Sequence, residues 1–258
     1  RGDRKLARLK YTVDKLSVDG FKEELEKRIG FKLEQPKPYT FTERSDIFEW
    51  QEVSKDVWYY TLFVENGVVQ PNQKEFLYEL AKLKLSNFIF TANQNLLLGE
   101  IATEDKAKVE ELMKKFSIHK DLSELRKNSM ACVALPTCPL ALAEAQRYLP
   151  ELVTKIEPLL LKHQLIEEDI VIRMTGCPNG CGRSYVAEIG FVGTSSGHYN
   201  LMLGGDRYGT RLNKIYKEKV NEIEILNELD KIFEVYTKER NLNETFGDFT
   251  NRKLFSYN

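Results

Sequence analysis

The chain has 258 residues, with 38 basic and 39 acidic side chains and a net formal charge of −1. This balance argues against broad, non-specific nucleic-acid binding, and no apolar run approaches the ~18–20 residues of a membrane span. With 42% hydrophobic and 30% charged residues, the chain is expected to be a soluble folded protein of one to three domains with a substantial core. No secretory signal is visible, and four cysteines are too few for a disulfide scaffold. The sequence opens on Arg1 without an initiator Met, so it is expected to be a fragment, a processed product or a trimmed chain.

In chain order, residues 13–29 carry Leu16, Val18, Phe21, Leu25 and Ile29 at near-helical spacing, which predicts a helix. Gln35, Pro36, Lys37 and Pro38 then read as a linker. Residues 58–65 (WYYTLFVE) are rich in β-formers and stop at Asn66-Gly67, a hairpin signal. Residues 73–83 read as a helix, 88–98 (FIFTANQNLLL) as a strand or strand pair, and 105–116 as a helix. This β-β-α-β-α order suggests a ferredoxin-like α+β module over about residues 45–118. Beyond it, 139–148 (PLALAEAQRY) and 153–163 read as helices and 170–174 (IVIRM) as a short buried strand. Residues 188–192 and 198–203 read as a hairpin, and 223–239 as an amphipathic helix. The fold class expected is α+β with mixed sheets.

Charge is uneven. Residues 1–10 hold five basic side chains and one acidic, and residues 201–220 hold five basic and two acidic, each near a glycine-rich turn. Either cluster alone reads as solvated surface; together they raise the odds of an anionic ligand.

The four cysteines carry the chemistry. Cys132, Cys138, Cys177 and Cys181 follow the pattern C-x5-C, a gap of 38 residues, then C-x3-C. Two tight pairs argue against scattered buried thiols and, without a secretory signal, against disulfides. Structural zinc prefers C-x2-C or C-x4-C knuckles, whereas irregular spacing suits the four thiolate corners of an iron–sulfur cubane better. Spacing alone leaves both open. Pro139 suits the first position of a helix, which would set Cys138 at a helix N-terminus, where free N–H groups stabilise a thiolate. The loop 175–183 (TGCPNGCGR) holds three glycines that let its backbone turn toward sulfur and leave room for a bulky group.

The segments ACVALPTCP (131–139) and TGCPNGCGR resemble the cluster signature of the sulfite and nitrite reductase hemoproteins. ARLKYT (7–12), LFVENG (62–67), TANQNL (91–96), NSMAC (128–132), LGGDRYGTR (203–211) and FGDFTNR (246–252) also resemble segments of that family. The resemblance is nearest to the C-terminal half of its assimilatory sulfite reductase β branch. It implies a [4Fe-4S] cluster held by Cys132, Cys138, Cys177 and Cys181, with Cys181 shared with the iron of a siroheme. Siroheme is ringed with carboxylates and needs cationic and amide partners. Arg4, Arg8, Lys10, Gln94 and Asn179 are candidates, with Arg183 and Arg207 behind them. The polar run Thr91, Asn93, Gln94 and Asn95 inside an apolar strand reads as ligand contacts rather than core.

The domain plan implied is the end of a siroheme-binding α/β domain over 1–44, a ferredoxin-like half-module over 45–118, and a cluster- and siroheme-binding domain over 119–258. The activity implied is reduction of sulfite to sulfide in the cytoplasm. The partners are a flavoprotein subunit or domain that relays electrons from NADPH and an N-terminal half that supplies most substrate cations; neither nucleic acid nor membrane is expected. A nitrite reductase of the same family and a non-catalytic four-cysteine zinc module remain open. His119, His163 and His198 lie in none of the family segments and read as structural or surface residues.

Overall fold

The computed structural model describes residues 9–118 and 121–255. The chain divides into two units, residues 1–41 and 42–258. In the first unit, helix α1 (Leu9–Ile29) is broken at Ser17, whose φ of 65° and ψ of 168° are not helical. Leu9, Leu16, Val18 and Ile29 stay exposed. Glu26, buried in the last turn of α1, draws the following chain back by accepting from Lys32 Nζ at 2.8 Å and Leu33 N at 3.1 Å.

The second unit holds two sheets. The first is antiparallel, ordered β1 (Gln51–Ser54), β2 (Val57–Leu62), β4 (Leu96–Ala102), β3 (Asn87–Phe90). Helices α2 (Pro71–Leu83) and α3 (Thr103–Lys115) supply Phe76, Leu80, Val109, Leu112 and Met113, which close over Leu62, Leu96, Leu98 and Ile101. Pro71 opens α2 within a Gln70/Gln73 capping box. In α3, Glu104 and Asp105 in the first turn and Lys114 and Lys115 in the last suit the helix dipole. Asn66-Gly67 is not the hairpin turn. It sits in a short 3-10 turn leading into α2, while the β1–β2 hairpin closes through Lys55-Asp56. Residues 91–95 are not strand either. They form the turn between β3 and β4, with Gln94 at φ 67°.

The second sheet runs β5 (Ser129–Ala131), β6 (Ile172–Thr175), β7 (Ile189–Ser195), β8 (His198–Leu203), β9 (Lys214–Val220). β5, β6 and β7 are parallel, and β8 and β9 are antiparallel. The short α4 (Glu124–Lys127) precedes β5, and α5 (Tyr148–Lys162) makes the crossover from β5 to β6. α5 packs with α6 (Glu222–Glu239) and α7 (Phe246–Phe255) over a core of Ile172, Met174, Phe191, Leu229, Phe233 and Phe249. The architecture is α+β with mixed sheets.

No helix spans 139–148; α5 starts only at Tyr148. The N–H groups of Leu142 and Ala143 donate to Gly176 O at 2.8 and 3.0 Å instead of forming a helical ladder. Ala141 N donates to Cys138 O at 3.1 Å, closing a turn. Cys138 therefore stands on a loop, not at a helix N-terminus.

Candidate functional site

Parallel pairing places the cysteines. Cys132 follows β5 and Cys177 follows β6, and adjacent parallel strands release their following loops at the same edge of a sheet. The register pairs Ala131 with Met174, and Cys132 N donates to Met174 O at 3.1 Å. Cys132 Sγ then meets two donors, Gly176 N at 3.3 Å and the Thr175 hydroxyl at 3.5 Å. The loop bearing Cys138 rests on Gly176. A Cβ there would lie 2.6 Å from Ala143 O and 2.7 Å from Ala134 Cβ, so only glycine lets the two cysteine loops touch. All four thiols are free; Cys177 is buried, Cys132 and Cys138 partly so, and Cys181 is exposed.

This donor set suits a soft metal centre. Tetrahedral zinc with 2.3 Å bonds needs sulfurs about 3.8 Å apart. Among the described residues no three His, Cys, Asp or Glu side chains are grouped so as to hold one ion. A cubane gives each thiolate its own iron and spreads the sulfurs further apart. Four free thiols on two touching loops, with donors already aimed at one sulfur, are the soft ligands that such a centre needs.

The other candidates are spread over the chain. Arg4 and Arg8 lie outside the described residues. Lys10, exposed in the first unit, stands over the Tyr11 ring at 4.8 Å. Gln94 and Arg183 do reach the cysteine segments. Gln94 Nε2 donates to Ala131 O at 3.0 Å, beside Cys132, and its buried Oε1 has no partner. Arg183, two residues after Cys181, donates to Ala92 O and to Asn93 Oδ1 at 3.0 Å. Asn179 is exposed on the TGCPNGCGR loop. Arg207 instead pairs with Asp169, which precedes β6, whereas Cys177 follows it.

The polar run of the β3–β4 turn is engaged within the protein. Thr91 and Asn95 donate to Asp46 at 2.7 and 2.8 Å, and Asn93 donates to Arg44 O at 3.1 Å. Asn93 Oδ1 accepts from Arg183 and from Arg173. Arg173, in the middle of β6, is 3% exposed, and its buried Nε has no partner. Burial first, then the like charges of Arg44 and Arg183, disfavours its ionised form. Arg44, Asp46 and Arg173 were missed in the sequence. The available signal was an arginine inside the apolar run IVIRM.

Two resembling segments meet at α7. Arg211 of LGGDRYGTR donates to Asp248 of FGDFTNR at 2.7 Å. Fully buried Glu188 accepts from Val171 N at 2.9 Å and Gly247 N at 2.7 Å; burial raises its pKa to about 7. His163 bonds Asp230 at 2.7 Å and His198 bonds Ser196 O at 2.9 Å, both as structural contacts. His119 lies outside the described residues.

A mixed sheet with thiol-bearing loops at its parallel edge, joined to an antiparallel ferredoxin-like sheet, defines a fold that recurs in solved structures. The Mycobacterium tuberculosis NirA protein superposes with a TM-score of 0.80 at 24% identity, over 97% of this chain and 48% of that one. Dissimilatory sulfite reductase I superposes with a TM-score of 0.54 at 12% identity, over 76% of this chain and 67% of that one.

Residues 51–116 match the nitrite/sulfite reductase ferredoxin-like half domain. The chain is 54% identical to the "sulfite reductase [NADPH] hemoprotein beta-component" of Leptospira biflexa, over 98% of this chain and 47% of that protein. It is 48% identical to the protein of the same name from Shigella dysenteriae, over 98% and 45%. The chain belongs to the nitrite and sulfite reductase family, and it spans about half the length of the relatives it matches.

Proposed function

We propose that this chain is the cluster-bearing, C-terminal half of a sulfite reductase hemoprotein that reduces sulfite to sulfide. The observation that carries the reading is the set of four free cysteines on two touching loops, in a chain 54% identical to a sulfite reductase hemoprotein over 98% of its length. Cys132, Cys138, Cys177 and Cys181 would hold a [4Fe-4S] cluster, and Cys181, the exposed one, would be shared with siroheme iron. When bound, the coupled pair supplies the multi-electron chemistry.

The chain's own residues set the stage for that group. Gly176 O, accepting from Leu142 N and Ala143 N, fixes the Cys138 loop, and Cys132 N, donating to Met174 O, fixes its own strand end to β6. Gln94 and Arg183 stand at the margin of the cysteine loops, with the unpartnered Gln94 Oε1 as a polar handle; Arg4, Arg8, Lys10 and Asn179 are further proposed contacts for siroheme carboxylates. Electrons would come from NADPH through a flavoprotein partner. The cytoplasm is the proposed compartment, since reduced thiolates persist there; no helix among the described residues is long and apolar enough to cross a membrane.

Nitrite reduction is the second reading, favoured by the half domain that both activities share. The experiment is a visible absorption spectrum of the protein purified under argon, followed by sulfide and ammonia assays with reduced methyl viologen. Siroheme bands with sulfide formation support the proposal. A colourless, zinc-bearing protein overturns it, and ammonia formation from nitrite without turnover of sulfite transfers the reading to the second activity.

A further inference from the structure

We propose that Thr175 is a positioning residue for Cys132: its hydroxyl holds the Cys132 sulfur at the end of β5 and tunes the group that this sulfur carries. The inference rests on the iron–sulfur reading above and goes beyond it by naming a residue that is not itself a ligand.

Thr175 is the last residue of β6 and is fully buried. The preceding positions of that strand include Ile172 and Met174, both buried and apolar, so packing alone would be served by valine. A buried hydroxyl without a partner costs about 1–3 kcal/mol. Thr175 Oγ1 makes its hydrogen bond to Cys132 Sγ, at 3.5 Å. The geometry arises from the strand register. Cys132 N is held on Met174 O at 3.1 Å, so the sulfur of Cys132 comes to lie beside the next two residues, Thr175 at the end of β6 and Gly176 just after it. Those two each offer a donor: the Thr175 hydroxyl and, at 3.3 Å, the Gly176 N–H. The β-branched side chain restricts χ1, which keeps the hydroxyl aimed without further ordering.

Donors directed at a thiolate disperse its negative charge. In a cluster they favour the more negative, reduced state and so raise the reduction potential. The Gly176 donor is backbone and survives any side-chain change. The Thr175 donor can be removed without altering shape, by valine, or retained without the methyl, by serine.

The test uses Thr175→Val and Thr175→Ser in the natural protein that contains this chain, purified under argon. Iron and acid-labile sulfide are measured, together with the cluster midpoint potential by an EPR-monitored redox titration and folding by circular dichroism. The inference expects Thr175→Val to keep iron and sulfide and move the midpoint to a more negative potential, and Thr175→Ser to stay at the wild-type value. If Thr175→Val folds but loses the cluster while Thr175→Ser keeps it, the hydroxyl is needed to place Cys132, which also supports the inference. A Thr175→Val protein with full iron and sulfide at the wild-type potential overturns it and leaves the cluster reading intact. Equal losses in both variants overturn it as well, because the methyl group and not the hydroxyl would then matter. A wild-type protein devoid of iron and sulfide refutes the reading itself, and the inference with it.

Discussion

Glu188 illustrates how a single buried side chain sets a condition on the whole unit. Burial raises its pKa from 4.5 to about 7, against the lowering effect of the Val171 and Gly247 N–H groups and of Arg44; the charge of Asp248 adds to the rise. A carboxyl that prefers its proton in the folded state contributes stability below pH 4.5, and that contribution is lost as pH rises through about 7. The interval corresponds to a contribution of roughly 3 kcal/mol. Glu188→Gln should therefore flatten the dependence of the urea midpoint on pH between about 4.5 and 7, even if one N–H contact is weakened. An unchanged pH slope would show that Glu188 does not titrate in that window. At the cysteines, serine replaces a soft thiolate with a hard hydroxyl. On the proposed assignment, Cys132→Ser or Cys138→Ser should lose cluster iron. Cys181→Ser should perturb the siroheme spectrum directly as well. A Cys181→Ser protein with an intact cluster and a wild-type siroheme spectrum would rule out the shared thiolate.

At the scale of elements, the site depends on close approach between loops. A Cβ on Gly182 would lie 2.2 Å from Met174 O and 3.1 Å from Cys132 N. Both are backbone atoms and cannot move aside independently. Gly182→Ala should therefore displace the loop carrying Cys177 and Cys181, destabilise by roughly 2 kcal/mol or more, and lower the iron content. Urea unfolding and iron analysis check this, and wild-type values in both would contradict it. Much of this level was legible in the sequence. The apolar periodicity of 223–239 became α6, and the Ser195–Gly197 turn became the β7–β8 hairpin. The segment 139–148 was not legible, because its helix-forming residues are held by Gly176 O, a partner 33 and 34 residues downstream of Ala143 and Leu142. The hydrogen bonds of Thr91, Asn93 and Asn95 within the protein were not legible because their partners, Asp46, Arg44, Arg173 and Arg183, are scattered along the chain. The four cysteines were found at once, since pairing within short loops is visible without tertiary structure. Arg173 required the fold, which alone reveals that its charge is buried.

At the scale of the whole molecule, the chain spans about half the length of the relatives it matches. Its antiparallel sheet ends on β3, an edge strand whose four residues are all exposed, with Phe90 at 88%. An apolar sheet edge in water invites pairing with another strand. The proposal that an N-terminal half covers this edge, and supplies most cations for a dianionic substrate, predicts that residues 1–258 alone self-associate and turn over sulfite poorly. Adding that half, in cis or in trans, should restore siroheme binding and sulfide production together. Full turnover by residues 1–258 alone would place the substrate site within them.

On the proposed assignment the four cysteines hold a cubane coupled to siroheme. The most direct test is the ratio of iron to acid-labile sulfide in the natural protein, purified under argon. About five irons are expected for every four sulfides, four in the cluster and one in the macrocycle. One zinc per chain with no labile sulfide would contradict it.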